Sequence, residues 1–387
     1  GGFTSLFLFL YVMSKLPQVT TSIFSKMSLM AKEHDAINLS QGFPDFPIDK
    51  KLSLLVEKTV KNNVHQYCPS NGHPGLLDQI ADLIHKSYHR ELNTSEELLV
   101  TAGATQAIFT SIQALVHPGD EVIILDPSYD CYIAPIQLCK GVPIRIPLGP
   151  DFLPDWALIN KHVSSKTKMI ITNNPHNPSG RTWAASDMNE LVKLINNYSN
   201  LYLLSDEVYE YITFENKHLS AHSYESLRAK SIVVSSFGKT LHITGWKMGY
   251  LVAEKKIMDE IKKIHQYMVF SVNSLCQHVI FEYLQSSSLQ DIGSMYQAKR
   301  DLFRKGIEHS RFKILPCDGT YFQTLDYSKI SNKNDIEFAE ELTKEFGIAS
   351  IPISVFSEKN KHKNILRFCF AKQNETIEKA TSLLCKI

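Results

Sequence analysis

The chain has 387 residues, of which 43% are hydrophobic, 21% charged and 10% aromatic, with a formal net charge of +1. That length suits about two domains at roughly 100–200 residues each, and the composition excludes a disordered or fibrous chain. A charge balance so near neutral supplies no global field to recruit nucleic acid or an acidic membrane, so any bound anion must be held by a local site.

The first thirteen residues, GGFTSLFLFLYVM, are apolar. They fall short of the about 20 residues that a bilayer span needs, and they lack the basic start and small-residue cleavage site of a secretory signal. Residues 1–12 are therefore expected to be an upstream extension or expression remnant, with the natural start at Met13. The seven cysteines (Cys68, Cys131, Cys139, Cys276, Cys317, Cys369 and Cys385) are odd in number, scattered and without a C-x-x-C pair. That pattern predicts reduced thiols in a cytoplasmic enzyme rather than a disulfide framework.

After a helix-like segment and a Gly/Pro turn over 42–47, residues 51–63 and 74–90 read as amphipathic helices separated by the loop HQYCPSNGHPG. A rhythm then sets in. ELLVTAG, DEVIILDP, VPIRIP, KMIITNNP, LYLLSDE and KSIVVSSFG read as short apolar strands, followed by WKMGYLVAE. Between them ATQAIFTSIQALV, DCYIAPIQLCKG and AASDMNELVKLINNYS read as helices. Strands alternating with helices predict an α/β fold with a mostly parallel sheet covered on both faces, its active loops at the C-terminal strand ends. Residues 255–310 read as long helices. KILPCDGTYFQTLDY, GIASIPISVF and NILRFCFA then read as strands around the helix NDIEFAEELTKEFG, a smaller α+β unit.

The strand ends carry the chemistry. TAGATQA puts Gly103, Ala104 and Thr105 at a strand-to-helix junction, which is either a simple turn or an anion cradle of backbone N–H groups. Neither G-x-G-x-x-G nor G-x-x-x-x-G-K-[ST] occurs, so a dinucleotide fingerprint and a P-loop are both unsupported. DPSYD leaves Tyr129 just past a strand. NNPHNPSG holds Asn177 between Pro175 and Pro178, either as a turn residue or as a fixed side-chain amide. LSDEVYE ends a buried strand on Asp206, with Tyr209 following; the carboxylate either meets a cation or caps a helix. SSFGKTLHITGWKMGY places Ser236, Lys239 and Lys247 in an apolar turn, where a lysine either meets an anion or acts as an amine. A phosphate cradle, an aromatic, an amide, a carboxylate and a buried amine are together what pyridoxal phosphate needs.

The ordered set SQGFPDF, TAGATQA, DPSY, NNPHNPSG, SDEVYE, SSFGKT…TGWKMGY and LRFCFA resembles the class I/II pyridoxal-phosphate aminotransferases of fold type I, over roughly residues 13–387. Within the family it looks closest to the methionine-preferring and kynurenine/glutamine-type branch. The resemblance implies a large domain (48–282) around a mostly parallel seven-stranded sheet, a smaller α+β domain (283–387), and an N-terminal arm (13–47) that contributes to the smaller one. It implies that Lys239 bonds the cofactor covalently, that Asp206 pairs with the pyridine nitrogen, and that Tyr209 and Asn177 hydrogen-bond the phenolic oxygen. Tyr129 matches the aromatic stacked on the ring. Ala104, Thr105, Ser236 and Lys247, with Gly103 beside them, match the phosphate set. Arg367 matches the arginine gripping the substrate carboxylate, with Gly42 near it. Apart from the resemblance, Phe43 and other aromatics near the N-terminal turn are expected to form an apolar side-chain pocket, unless they serve the core. Tyr67 matches a tyrosine that reaches the phosphate of a neighbouring subunit, hence a homodimer with shared sites. Where many relatives carry arginine, this chain has Lys247, which the kynurenine-type branch shares.

The expected activity is ping-pong transfer of an amino group from an L-amino acid, with a methionine, aromatic or glutamine-like side chain, to a 2-oxo acid. The competing expectation on the same scaffold is a cysteine-S-conjugate β-lyase. A transcriptional regulator would need a basic DNA-binding unit, and the residues before Ser40 are too few for one. His85 and His89 have i,i+4 spacing without a partner carboxylate motif, so no metal site is expected.

Overall fold

The structure is a computed structural model and describes residues 14–17, 19, 21–358 and 363–387. The apolar run 1–13 lies outside the described residues. In chain order the strands are β1 (Ile37–Asn38), β2 (Leu98–Thr101), β3 (Glu121–Asp126), β4 (Val142–Pro147), β5 (Thr167–Asn173), β6 (Tyr202–Asp206), β7 (Ser231–Ser236), β8 (Gly249–Ala253), β9 (Lys313–Ile314), β10 (Phe322–Asp326), β11 (Ile348–Ala349), β12 (Ile351–Pro352) and β13 (Ile365–Cys369).

Seven of them form the central sheet in the order β2-β8-β7-β6-β5-β3-β4. Neighbours from β4 to β7 are parallel, while β8 runs antiparallel to both β7 and β2. Six strands therefore point one way and β8 alone is reversed. The near-continuous apolar runs follow from burial on both faces. Ile123, Leu125, Ile170, Leu203 and Val233 enter one core. Their neighbours Val122, Ile124, Ile171, Leu204, Ile232 and Val234 enter another. A side-chain period of two sends alternate residues to opposite sides, and helices cover each side. Against β2 and β8 a third core packs Leu98, Val100, Tyr250 and Val252 onto the helix Pro74–Tyr88.

The C-terminal part builds an antiparallel sheet ordered β12-β13-β10-β9, and β1 pairs in parallel with β11. The long helices expected over 255–310 are Lys255–Met268, Ser274–Leu284 and Ile292–Gly306.

Several boundaries differ from the sequence expectation. The helix expected over 51–63 runs Lys50–Thr59, and that expected over 74–90 stops at Tyr88, because His89 turns left-handed at φ 55°. DCYIAPIQLCKG opens with a 3₁₀ turn at Asp130–Tyr132 before a short helix, Ile133–Leu138. GIASIPISVF divides into β11, β12 and a 3₁₀ turn, Ile353–Phe356, with Pro352 closing β12 because it has no N–H to extend the ladder. KILPCDGTYFQTLDY is two strands, β9 and β10, rather than one. A helix at Trp156–His162, capped by Asp155, was not expected.

Candidate active site

Because six strands of the central sheet share one direction, the loops after β2, β3, β5, β6 and β7 emerge at one edge. The reversed β8 begins at that same edge, so the turn before it brings Lys247 to the loops that carry Asp206 and Lys239. Above this edge, β13 supplies Arg367 and the segment before the helix Lys50–Thr59 supplies Gly42 and Phe43. Together they enclose a cavity of about 340 Å³.

Thirteen of the fourteen residues singled out from the sequence line that cavity: Gly42, Phe43, Gly103, Ala104, Thr105, Tyr129, Asn177, Asp206, Tyr209, Ser236, Lys239, Lys247 and Arg367. Tyr67 does not. It is 79% exposed on the surface and stands edge-on to Phe270, the ring centroids 5.2 Å apart.

Asp206, the last residue of β6, is 3% exposed. Its Oδ2 accepts the hydroxyl of Tyr132 at 2.6 Å and its Oδ1 the N–H of Val208 at 3.3 Å. Among the described residues no basic group forms an ion pair with it. Burial pushes the carboxyl up from 3.8 to about 6, against the Tyr132 hydroxyl, the Val208 N–H and the Lys239 charge, which favour the anion. A buried carboxylate without a cation beside it suits a ligand that brings one, such as a protonated ring nitrogen.

Lys239 follows β7 in a four-residue helix, Phe237–Thr240, and is accessible only in part. Its Nζ lies 5.7 Å from the ring centroids of both Tyr209 and Tyr321. Burial pulls the amine down from 10.5 to about 8, with Arg367 and Lys247 adding to the effect and Asp206 opposing it. An amine that deprotonates near neutrality can act as nucleophile and base. Burial pushes the Tyr129 and Tyr209 phenols upward, so both stay protonated and able to donate.

The helix Gly103–Leu115 starts at the cavity, and its N-cap, Ala102, offers no side-chain acceptor to the first N–H groups. Those groups are left for an anion. Gly103 sits at φ +77°, and a Cβ there would stand 3.3 Å from Lys247 Cε, which shows how closely Lys247 lies over the helix start. A cationic amine above free backbone donors, with Ser236 lining the same cavity, fits a phosphate.

Arg367 is 1% exposed and stacked on Phe322, its guanidinium carbon 3.9 Å from the ring centroid. Nη1 donates to Asn177 Oδ1 at 2.7 Å and Nη2 to the Ser40 carbonyl at 3.1 Å, while Nε has no partner among the described residues. Among the described residues no carboxylate forms an ion pair with it, so a ligand carboxylate fits. The residues present thus suit pyridoxal phosphate and a carboxylate-bearing substrate. No cluster of metal-ligating side chains occurs among the described residues.

Sequence reasoning missed Tyr132, Asn173, Phe24, Gln41 and Phe322. Asn173 lines the cavity, accepts the Asn177 N–H at 2.7 Å and donates to the Asp206 carbonyl at 3.0 Å. As the last residue of a buried strand it was findable by the logic that found Asp206. Phe24 lies in the amphipathic helix Ile23–Glu33, and Phe322 in β10; neither carries a local signal.

The chain is similar to known proteins along nearly its whole length. The chain matches the family model of aminotransferase class I and II over residues 34–384. It is 42% identical over 375 residues to the methionine aminotransferase of Escherichia coli (strain K12), covering 96% of this chain and 97% of that one. It is 31% identical over 408 residues to a kynurenine–oxoglutarate transaminase of Dictyostelium discoideum, covering 95% of this chain and 94% of that one. A crystal structure of an Escherichia coli protein with methionine aminotransferase function superposes with a TM-score of 0.95 at 41% identity, over 98% of this chain and 100% of that one. The chain therefore belongs to the class I and II aminotransferases, pyridoxal-phosphate enzymes that carry an amino group from an amino acid to a 2-oxo acid.

Proposed function

We propose that this aminotransferase prefers methionine and other L-amino acids with long apolar or aromatic side chains as donors. The observation that carries the reading is the charge inventory of the cavity. Its cationic lining residues are Lys239, Lys247 and Arg367. Lys239 serves as the reacting amine, Lys247 meets the phosphate and Arg367 meets the α-carboxylate. Among the described residues no further cation lines the cavity to meet a side-chain carboxylate, while Phe24, Phe43, Ile108, Met248 and Phe322 offer apolar surface. The likeness to a methionine aminotransferase along almost the whole chain supports the same preference.

Pyridoxal phosphate, when bound, supplies an aldehyde for the amino group and a ring that draws in electrons. Lys239 would hold the cofactor at that aldehyde, and its Nζ, as a neutral amine, would take the proton from the substrate Cα. Asp206 holds the ring nitrogen protonated. Tyr209 and Asn177 would hold the phenolic oxygen, Tyr129 the ring face, and Arg367 the substrate α-carboxylate. Gly103, Ala104, Thr105, Ser236 and Lys247 hold the phosphate.

The proposal extends to assembly and place. Tyr67 completes the cavity of a second copy in a homodimer. The seven cysteines, all free thiols, suit the cytoplasm. The division into an arm (13–47), a large domain (48–282) and a small domain (283–387) is supported by β1 of the arm pairing with β11. Among the described residues no helix is long and apolar enough to cross a membrane. Elimination from a cysteine S-conjugate is not favoured, since the matched relatives are transaminases.

The test is kcat/KM over a panel of L-amino acid donors with one 2-oxo acid acceptor. Methionine and phenylalanine should exceed aspartate and glutamate by about 100-fold or more, as expected when a buried carboxylate finds no partner. Acidic donors matching methionine would overturn the preference. Release of pyruvate, ammonia and a thiol from a cysteine S-conjugate, without any acceptor, would favour elimination.

A further inference from the structure

We infer that Tyr132 is a positioning residue of this enzyme: its hydroxyl holds the Asp206 carboxylate in place and anionic for the ring nitrogen of the cofactor. The inference rests on the assignment of Asp206 as the partner of that nitrogen.

Tyr132 closes the 3₁₀ turn Asp130–Tyr132, three residues beyond Tyr129. Tyr129 lines the cavity while Tyr132 lies behind it, the rings edge to face with centroids 6.2 Å apart. Tyr132 is 2% exposed and packs in the core beneath the cavity, so it does not touch a substrate. Its hydroxyl reaches across the sheet edge to Asp206 Oδ2 at 2.6 Å, the short length of an O–H donated to a carboxylate. Burial and the neighbouring Asp206 raise the phenol well above its ordinary range, so wherever Asp206 is anionic Tyr132 is the donor and Asp206 the acceptor.

The other groups facing Asp206 do not duplicate this bond. Val208 N–H, on its own strand end, donates to Oδ1 at the longer distance of 3.3 Å. The Lys239 charge favours the anion and the Glu207 charge opposes it. Tyr129, Cys131 and Tyr209 face Asp206 as neutral groups, since burial pushes all three upward. The Tyr132 hydroxyl is the largest effect opposing burial at this carboxyl. Without it the carboxyl becomes more basic, and the proton shared with the ring nitrogen moves toward oxygen, leaving a neutral pair and a weaker electron sink.

The test uses holoenzyme carrying pyridoxal phosphate labelled with ¹⁵N in the ring, in which the nitrogen shift reports protonation directly. Tyr132→Phe should move that shift toward the unprotonated value. It should also lower kcat about 10-fold, as loss of a hydrogen bond to a charged group predicts, and leave KM for the amino acid within about twofold. Replacing Tyr132 with 3-fluorotyrosine, a stronger donor of nearly the same shape, should move the shift the other way. That graded response separates tuning from packing, and it stands even where the phenylalanine variant does not fold. An unchanged shift in both Tyr132 variants, with Asp206→Asn strongly shifted, overturns the inference alone. An unchanged shift in Asp206→Asn overturns the assignment of Asp206 and the inference with it.

Discussion

Burial holds the Asp206 carboxyl at about 6 in the folded chain, against an ordinary 3.8, so the group proposed to serve the cofactor costs the fold stability. The sign follows from linkage: the folded state binds this proton more tightly than the unfolded state, so stability falls as pH rises from about 4 through 6, and the loss is complete above that. The difference corresponds to roughly 3 kcal/mol at neutral pH in the absence of cofactor. Asparagine carries no charge; its Oδ1 can still accept the Val208 N–H while its Nδ2 donates to the Tyr132 hydroxyl oxygen. Asp206→Asn apoenzyme should therefore be more stable than the unaltered apoenzyme at pH 8, by up to about 3 kcal/mol, and equal to it near pH 4, while transamination collapses. Urea denaturation of both apoenzymes at the two pH values decides this. A variant less stable at pH 8 would mean that a cation already offsets the charge. Tyr132 shows why a residue of this kind was not legible from sequence. A carboxylate at a strand end announces itself, but the hydroxyl that meets it lies 74 positions away, in a turn that reads as the start of a helix.

At the scale of elements, what was legible was what repeats. Alternating apolar strands and helices define the sheet and its functional edge, because burial on both faces leaves a continuous apolar run in the sequence. Strand direction leaves no such mark: WKMGYLVAE reads the same parallel or antiparallel, and only the fold shows that β8 is reversed. Gly249 marks the place where that reversal matters. A Cβ there would stand 2.8 Å from the Ser235 carbonyl oxygen, 3.0 Å from the Ala104 nitrogen and 3.1 Å from the Gly103 carbonyl carbon. The missing side chain lets β8, β7 and the start of the helix Gly103–Leu115 meet at one point. All three atoms are backbone and cannot swing aside. Gly249→Ala should push the helix start away from Lys247 and Ser236, destabilising the fold by about 1–3 kcal/mol and weakening cofactor affinity beyond that loss. Thermal denaturation of the apoenzyme and titration with pyridoxal phosphate read the two effects separately. Full cofactor affinity in a destabilised protein would show that this contact serves the fold and not the phosphate.

For the whole molecule, the segment carrying Gly42 and Phe43 is tied to the C-terminal sheet and its neighbours. Arg367 donates to the Ser40 carbonyl at 3.1 Å, Tyr321 to the Gly42 carbonyl at 2.7 Å and Lys372 to the Phe43 carbonyl at 2.9 Å. One side of the cavity is thereby built within a single chain. Tyr67 lies outside it. Tyr67, Tyr267, Met268 and Phe270 are exposed at 79%, 88%, 40% and 49%, with Tyr67 edge-on to Phe270; exposed apolar side chains of this kind suit cover by a partner. If a second copy covers them, Tyr67 of one chain serves the cavity of the other, and the two functions can be separated by mixing. Lys239→Ala chains have no amine, and Tyr67→Phe chains lack the phosphate-directed hydroxyl. In a hybrid dimer one cavity carries both defects and the other carries neither. After joint unfolding and refolding in equal amounts, roughly half of the dimers are hybrids if pairing is random. Activity at limiting cofactor should then rise above the sum of the two parents assayed alone. If Tyr67 acts within its own chain, or the chain is a monomer, each hybrid repairs nothing and the mixture stays at that sum. Sedimentation of the mixture separates these two failures.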